Sequence, residues 1–351
     1  MQQILFTSPC QPDVLRLCRE SRADRIFLLT DETTHRLCRP LLASCLDELG
    51  VTDIVIPPTD EHKHIGTLQQ VWHALSQGGA SRHSMLVNLG GGMVTDLGGF
   101  AAATFKRGIR FLHVPTTLLS MVDAAVGGKT GINFEGLKNE IGAFAESDAV
   151  CIDTAFLQTL DSENLRSGYA EMLKHALLSD EAMWAEHVAF DLAQPNYAAL
   201  QHMVRQSIEV KRRIVQEDPH EHGLRKALNL GHTVGHAFES KALHDGKPIA
   251  HGYAVAWGLV AEMVLSHQIL KFPTEDLHRL ADFVYANYGA YHITCDHYDE
   301  LLHLMHHDKK SEHGEINCTL LAACGDVRPG HTITDDQMRI ALDLYRDLLH
   351  I

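Results

Sequence analysis

From residue 25 to residue 153, short β-branched or aliphatic runs alternate with longer amphipathic ones. The runs predict strands over 25–30, 51–56, 84–89, 110–114 and 150–152, and the 3.6-residue periods predict helices over 33–49 and 68–77. Strand and helix in regular alternation imply a parallel sheet covered on both faces. Ligands of such sheets bind outside the carboxyl ends of the strands. After Asp153 the pattern becomes helical, over 161–178, 197–216, 225–241, 251–270, 274–287 and 335–350, with one strand expected over 315–321. Residues 252–260 are small and apolar all round, as a central buried helix is. The pattern therefore predicts an α/β domain over 1–153 and a mainly α-helical domain over 154–351. The segment 115–139, rich in glycine and polar groups, reads as loop.

Composition narrows the partners. A chain of 351 residues suits two domains, since single cores stop growing at roughly 250–300 residues. The formal charge of −15 argues against nucleic acid and anionic membranes, which want basic surfaces, and leaves room for a local basic pocket. Eight cysteines without a Cys-x-x-Cys pair read as reduced thiols. With neither a leader pattern nor a charge-free run of bilayer length, a cytoplasmic protein is expected.

The chemistry concentrates between Glu171 and His251. Glu171 and Lys174 share a helix face, as do His232 and His236, with Arg225 and Asn229 expected to continue that face backwards. One Glu and two His form the ligand set of a catalytic Zn²⁺ with an open position. Spacing alone favours satisfied core or surface histidines over a metal site in a chain with 25 of them. The helix is not that of a zinc protease, because Thr233 stands where the motif needs Glu. Upstream, the run Gly90–Gly99 follows a strand and could bring backbone N–H groups to a pyrophosphate, although a tight turn explains it too. Asp96 and Asp31 could take ribose hydroxyls, and Asp31 could equally start a helix. Gly127-Gly128-Lys129-Thr130 is not a nucleoside-triphosphate loop, because Asp123 stands where its first glycine belongs. Lys129, Lys138 and Asn139 still suit an anion. His303, His306, His307 and His313 read as solvated.

Taken in order, these motifs closely resemble one family, the 3-dehydroquinate synthases among the sugar phosphate cyclases. The carriers are Gly-Gly-Gly-x-x-x-Asp-Leu-x-Gly-Phe (90–100), Lys106–Arg110, Val114–Leu119, Met121-Val122-Asp123, Gly127–Thr130 and Lys138-Asn139-x-Ile141-Gly142. They continue with Ala170-Glu171-x-x-Lys174, Leu228-Asn229-x-Gly231-His232-x-x-Gly235-His236, His251-Gly252 and Asp308-Lys309-Lys310. The resemblance implies a Rossmann-like first domain and a helical second one. It implies an NAD- and metal-dependent lyase that converts 3-deoxy-D-arabino-heptulosonate 7-phosphate to 3-dehydroquinate and phosphate. Transient oxidation, phosphate elimination, reduction and an intramolecular aldol closure would follow in that order.

By position, the resemblance makes Glu171, His232 and His251 ligands of Zn²⁺ or Co²⁺. It assigns Lys129, Asn139, Asn229, His236 and one of Lys309 and Lys310 to phosphate, and Lys211 with Arg225 to the substrate carboxylate. Asp123 and Lys174 fall beside the reacting carbons. Arg107 matches an arginine that reaches the phosphate from a neighbouring subunit, so a homodimer is implied. For NAD it gives Asp31, Lys63, Gly91, Gly92, Met93, Asp96, Thr116, Thr117, Lys138, Phe156 and Thr159. Thr59-Asp60 departs from the usual Gly-Glu, so either Asp60 or Glu61 is the acid on the adenosine side.

Three other readings stay open at this point. A sister cyclase would take a sugar phosphate without a carboxylate, an iron-type polyol dehydrogenase would release NADH, and a non-enzymatic NAD-binding regulator would lack a metal ligand. The presence of both Lys211 and Arg225 favours the carboxylate substrate.

Overall fold

A computed structural model describes residues 2–135, 137–219, 221–307 and 315–351, so Lys309, Lys310 and His313 lie outside the described residues. The chain forms two compact units, Met1–Asp161 and Ser162–Ile351. The division expected after residue 153 precedes the 3-10 turn Thr154–Thr159, whose Phe156 and Leu157 are buried.

In the first unit the elements are β1 (Gln3–Phe6), α1 (Gln11–Ser21), β2 (Ile26–Asp31), α2 (Glu32–Leu37), α3 (Ala43–Leu49) and β3 (Thr52–Ile56). They continue with α4 (Ile65–Gln77), β4 (Met85–Gly90), α5 (Gly92–Thr104), β5 (Arg110–Pro115), β6 (Lys129–Phe134), β7 (Leu137–Phe144) and β8 (Ala149–Ile152). Six strands form one parallel sheet in the order β1-β8-β5-β4-β2-β3. Every residue of β4 is buried, as a central strand covered on both faces requires. On one face Leu68, Val71 and Leu75 of α4 and Val94, Leu97 and Ala101 of α5 pack with Phe27, Leu29 and Leu86 of the sheet.

Two expectations fail here. The helix predicted over 33–49 is broken, because Pro40 cannot donate within a helix and clashes with the preceding turn. A 3-10 turn over Arg39–Leu42 therefore separates α2 from α3. The segment read as loop contains the antiparallel hairpin β6–β7, with Lys129 opposite Phe144 and Ile132 opposite Ile141. Its outer strand is exposed along almost its whole length, so no hydrophobic alternation marked it in the sequence.

The second unit contains α6 (Ser162–Leu177), α7 (Glu181–Val188), α8 (Tyr197–Glu217), α9 (His232–His244), α10 (His251–Leu270) and α11 (Thr274–Tyr288). After them come α12 (Tyr298–His306), β9 (Ile316–Ala323), β10 (Asp326–Ile333) and α13 (Asp335–Leu348). The central element is α10, which touches α6, α9, α11, α13 and β9. It has the length and mean hydropathy (1.2) of a membrane span, a match the sequence reading did not expect, yet 72% of that window is buried inside this unit. Its glycines let backbones meet. A Cβ at Gly252 would stand 1.9 Å from the Ser167 carbonyl oxygen of α6, and one at Gly258 would stand 2.0 Å from that of Gly231.

The helix predicted over 225–241 is also broken. Residues Leu224–Asn229 form a 3-10 turn, and Gly231 turns the chain at φ 78° before α9 begins. Arg225 and Asn229 therefore do not continue the histidine face. The single expected C-terminal strand has a partner, β10, in an antiparallel pair whose register shifts between Arg328 and His331. Pro329-Gly330 sits at that shift, which is where a strand tolerates a residue that cannot donate.

Candidate active site

In the second unit, three elements bring Glu171, His232 and His251 together. Glu171 projects from the buried middle of α6, His232 is the first residue of α9, and His251 is the first of α10. One ligand atom from each lies within 4.8 Å of the other two. His232 Nε2 is 3.3 Å and His251 Nε2 is 3.5 Å from Glu171 Oε1. The opposite nitrogens have acceptors of their own. His232 Nδ1 is 3.0 Å from the Leu230 carbonyl oxygen, and His251 Nδ1 is 3.2 Å from Glu239 Oε2.

Those acceptors assign the ring protons to Nδ1 in the neutral imidazoles and turn two Nε2 lone pairs toward a carboxylate. Lone pairs converging on lone pairs repel unless a cation, either a ring proton or a metal ion, stands among them. Glu171 is fully buried, and neither of its oxygens receives a well-aligned hydrogen bond. The donor set, one carboxylate and two imidazoles, fits a divalent ion with an open position.

Charge is arranged to keep Glu171 ionised. Burial raises its pKa, but the paired ammonium of Lys174 and the nearby His232 outweigh burial and hold it well below the usual carboxylate range. Without a metal ion His251 shifts the other way, to about 9, because Glu239 and Glu171 outweigh the effect of burial, and a bound metal ion would displace that proton.

Around this cluster, His236 lies on the α9 face with ring centroids 5.4 Å from His232 and 5.9 Å from His251. Lys211 is buried on α8. Arg225 is buried in the 3-10 turn, with Nη1 donating to the Pro219 carbonyl at 2.6 Å and its backbone N–H donating to Asp218. Asn229 Nδ2 donates to Glu221 Oε1 at 3.1 Å.

Three acids in these contacts escaped sequence reasoning. Glu239 was detectable, since 232, 236 and 239 are helix-face spacings. Glu262 is the lone acid inside the apolar run of α10, and its carboxylate accepts from the backbone N–H groups of Gly231 (2.7 Å) and Val234 (3.1 Å). Helix α9 has no side-chain cap of its own, so Glu262 caps it from another helix. Glu221 carried no signal in the sequence.

In the first unit, Asp31 ends β2 and caps α2, accepting from the N–H groups of Thr33 and Thr34 at 2.8 and 2.9 Å. Helix initiation is thus its observed role. At the next strand end, Gly91 caps α5 without a side chain, so the leading N–H groups of Gly92 and Met93 meet no side-chain acceptor from their own cap. Thr116 follows β5, with its N–H donating to the Gly90 carbonyl, and Thr117 bonds Ser120. Asp123 lies in the π-turn Ser120–Ala124. Phe156 is buried, and Thr159 donates to its carbonyl.

Lys63 is the hub of this unit's polar network. Its Nζ is 3.0 Å from Asp96 Oδ2, 3.2 Å from Asp60 Oδ1 and 2.6 Å from Asn139 Oδ1. Lys138 Nζ is 3.5 Å from Asp60 Oδ2, which also accepts from Asn133. Burial would lower the Lys63 pKa, but Asp96 and Asp60 raise it, so the ammonium stays charged. Of the two acids considered for the adenosine side, Asp60 is the one in the network. Lys129 is exposed at the start of β6. Arg107 is exposed, with φ 66° beside Lys106 at φ 49°.

Comparison with known proteins completes these observations. The 3-dehydroquinate synthase N-terminal profile matches residues 53–167, and the 3-dehydroquinate synthase C-terminal profile matches residues 168–311. A 3-dehydroquinate synthase of Parabacteroides distasonis is 48% identical over 99% of this chain and 98% of its own. Among solved structures, the 2-epi-5-epi-valiolone synthase of Streptomyces hygroscopicus with NAD⁺ and Zn²⁺ bound superposes at TM-score 0.85 with 27% identity. That match covers 99% of this chain and 97% of the other. A 2-deoxy-scyllo-inosose synthase complexed with carbaglucose-6-phosphate, NAD⁺ and Co²⁺ shares the fold at TM-score 0.85 with 22% identity, covering 97% and 95%.

Proposed function

This chain belongs to the 3-dehydroquinate synthase family, and we propose that it converts 3-deoxy-D-arabino-heptulosonate 7-phosphate to 3-dehydroquinate and phosphate as an NAD- and metal-dependent lyase. The observation that carries the metal part is the convergence of two imidazole Nε2 atoms on the buried Glu171 Oε1 at 3.3 and 3.5 Å. When bound, NAD supplies a reversible hydride acceptor and a divalent ion supplies Lewis acidity to a substrate hydroxyl.

The remaining work falls to side chains. Glu171, His232 and His251 hold the ion, either Zn²⁺ or Co²⁺. Lys174 keeps Glu171 charged in a buried setting. Arg225 and Lys211 bind the carboxylate, Arg225 with a planar fork that a lysine cannot offer. Asn229 and His236 bind phosphate oxygens. In the first unit, Lys129 and Asn139 are the anion-binding pair, and Asp123 is assigned to the reacting centre. NAD is held by the N-terminus of α5 with Gly91, Gly92 and Met93, by Asp60, Lys63, Asp96 and Lys138, and by Thr116, Thr117, Phe156 and Thr159. Asp31 joins them only through the carboxylate oxygen not used in its cap. Lys309 and Lys310 keep their phosphate assignment from the sequence alone.

The active form is a homodimer in which Arg107 serves the neighbouring subunit. Mixing Arg107→Ala with Lys129→Ala subunits restores activity if sites are shared, and verified heterodimers without recovery reject sharing. The enzyme works in the cytoplasm, in keeping with eight free thiols.

One assay tests the whole reading. The heptulosonate phosphate is supplied with trace NAD and Zn²⁺, and phosphate release is followed. Phosphate released many times over without accumulating NADH is expected. NADH accumulating one for one with substrate would instead mark a dehydrogenase, and turnover only of phosphates lacking a carboxylate would mark a sister cyclase.

A further inference from the structure

We propose that Glu239 is the positioning residue for the third metal ligand, fixing both the tautomer and the rotation of the His251 ring. The proposal rests on the reading that Glu171, His232 and His251 hold a divalent ion.

The three ligands are not equally anchored. Glu171 is fully buried inside α6. The His232 side chain is 11% exposed and is tied through Nδ1 to a backbone carbonyl that its own turn supplies. The His251 side chain is 28% exposed and opens its helix, with a cap residue, Ala250, that offers no side chain to hold it. Its backbone is fixed by the contact of Gly252 with Ser167, but a ring free to turn about its side-chain torsions could present either nitrogen to Glu171. Glu239 removes that freedom. It reaches across from α9, is itself 8% exposed, and places Oε2 3.2 Å from His251 Nδ1. With Nδ1–H donating to a carboxylate, Nε2 keeps its lone pair and faces Glu171.

The choice of a carboxylate where His232 uses a carbonyl has a second effect. A charged acceptor polarises the imidazole more strongly and makes it a better donor to a cation. The ligand thus needing the most orientation has the stronger tether. Glu239 also sits with His236 and His251 in a cluster whose ligand atoms lie within 4.8 Å of one another, so direct coordination by Glu239 is the competing role. The two roles respond differently to amidation. A glutamine keeps an oxygen to accept from Nδ1–H, but is a poor replacement for a coordinating carboxylate.

The test uses the full chain, stripped of metal and titrated with Zn²⁺ against a chromophoric chelator, with the Co²⁺ absorption spectrum recorded in parallel. Wild type is expected to bind one equivalent and His251→Ala to lose it. Glu239→Ala is expected to weaken Zn²⁺ binding about 10- to 100-fold and to shift the Co²⁺ bands. Glu239→Gln is expected to recover most of the lost affinity. If the alanine variant does not fold, Glu239→Leu fills the same space without an acceptor and serves in its place. Unchanged affinity in the folded alanine or leucine variant overturns the positioning role, and so does a glutamine variant as impaired as the alanine one. Wild type that takes up no metal overturns the ligand set itself, and this role with it.

Discussion

Lys63 Nζ stands 3.0 Å from Asp96 Oδ2 with only 6% of the lysine side chain exposed, so a helix that follows the glycine run is pinned by a buried ion pair. Removing one partner strands the other charge. Lys63→Met is expected to cost roughly 3–5 kcal/mol of stability, the range for breaking a buried pair, and to weaken NAD binding. Lys63→Met combined with Asp96→Asn should recover part of the stability, since the pair is then removed together. Urea unfolding of Lys63→Met, Asp96→Asn and the double variant checks this. Strictly additive losses would mean that the two side chains do not act as a pair.

Metal removal is the second prediction. An ion that binds only the folded chain stabilises it by about 4 kcal/mol when free metal exceeds Kd about a thousandfold. Chelated protein should therefore melt at a lower temperature and release no phosphate, and Zn²⁺ or Co²⁺ should restore both properties. Calorimetry with and without chelator is the measurement. An unchanged melting temperature with full activity in chelator would remove the basis for the Glu171, His232 and His251 site.

Glu262 has no direct part in chemistry, yet it accepts from two backbone N–H groups at the start of α9. Glu262→Ala leaves both donors buried and is expected to cost roughly 2–4 kcal/mol. Glu262→Gln, which retains one accepting oxygen, should cost less. Chemical denaturation decides, and equal losses for the two variants would argue that volume, not hydrogen bonding, sets the effect.

A pH effect follows from His113. This ring is buried in β5, 3.3 Å from Asn88 Nδ2, and burial pushes its pKa down to about 3. The unfolded chain takes up this proton near pH 6.5, while the folded chain resists it. The contribution of the neutral ring is therefore intact above pH 6.5 and shrinks as pH falls toward 3. Between pH 7.5 and pH 5 wild type should lose about 2 kcal/mol more than His113→Asn. Parallel stability curves for the two proteins would show that His113 is not kept neutral.

Arg225→Lys keeps the charge but loses the fork. It is expected to lower kcat/KM for the carboxylate substrate about 10- to 100-fold, as the loss of a charge-assisted bidentate contact does. Steady-state kinetics with the heptulosonate phosphate provide the check, and an unchanged kcat/KM would move the carboxylate elsewhere.

Much of this was readable in the chain. The helix 251–270 matches its observed bounds, because an apolar run preceded by Pro248 and closed by left-handed Lys271 has unambiguous ends. The spacing of Glu171 and Lys174, and of His232 and His236, put each pair on one helix face, as observed. The reading stopped where local signals are cancelled by neighbours. Gly231 looked tolerable inside a helix, but its positive φ ends one element and starts another. The exposed strand Leu137–Phe144 gave no periodicity to find. Glu239 and Glu262 were passed over, since the burial of a carboxylate depends on partners from distant parts of the chain.

Two of the three proposed ligands ride on main chain pressed against main chain, at Gly252 against Ser167 and at Gly258 against Gly231. A jig of that kind holds its gauge whether or not a workpiece is clamped in it. Ions should then be discriminated by bite rather than by adjustment. Even a single methyl at Gly252 should spread the jaws and blunt that discrimination more than any repacking of the surrounding side chains.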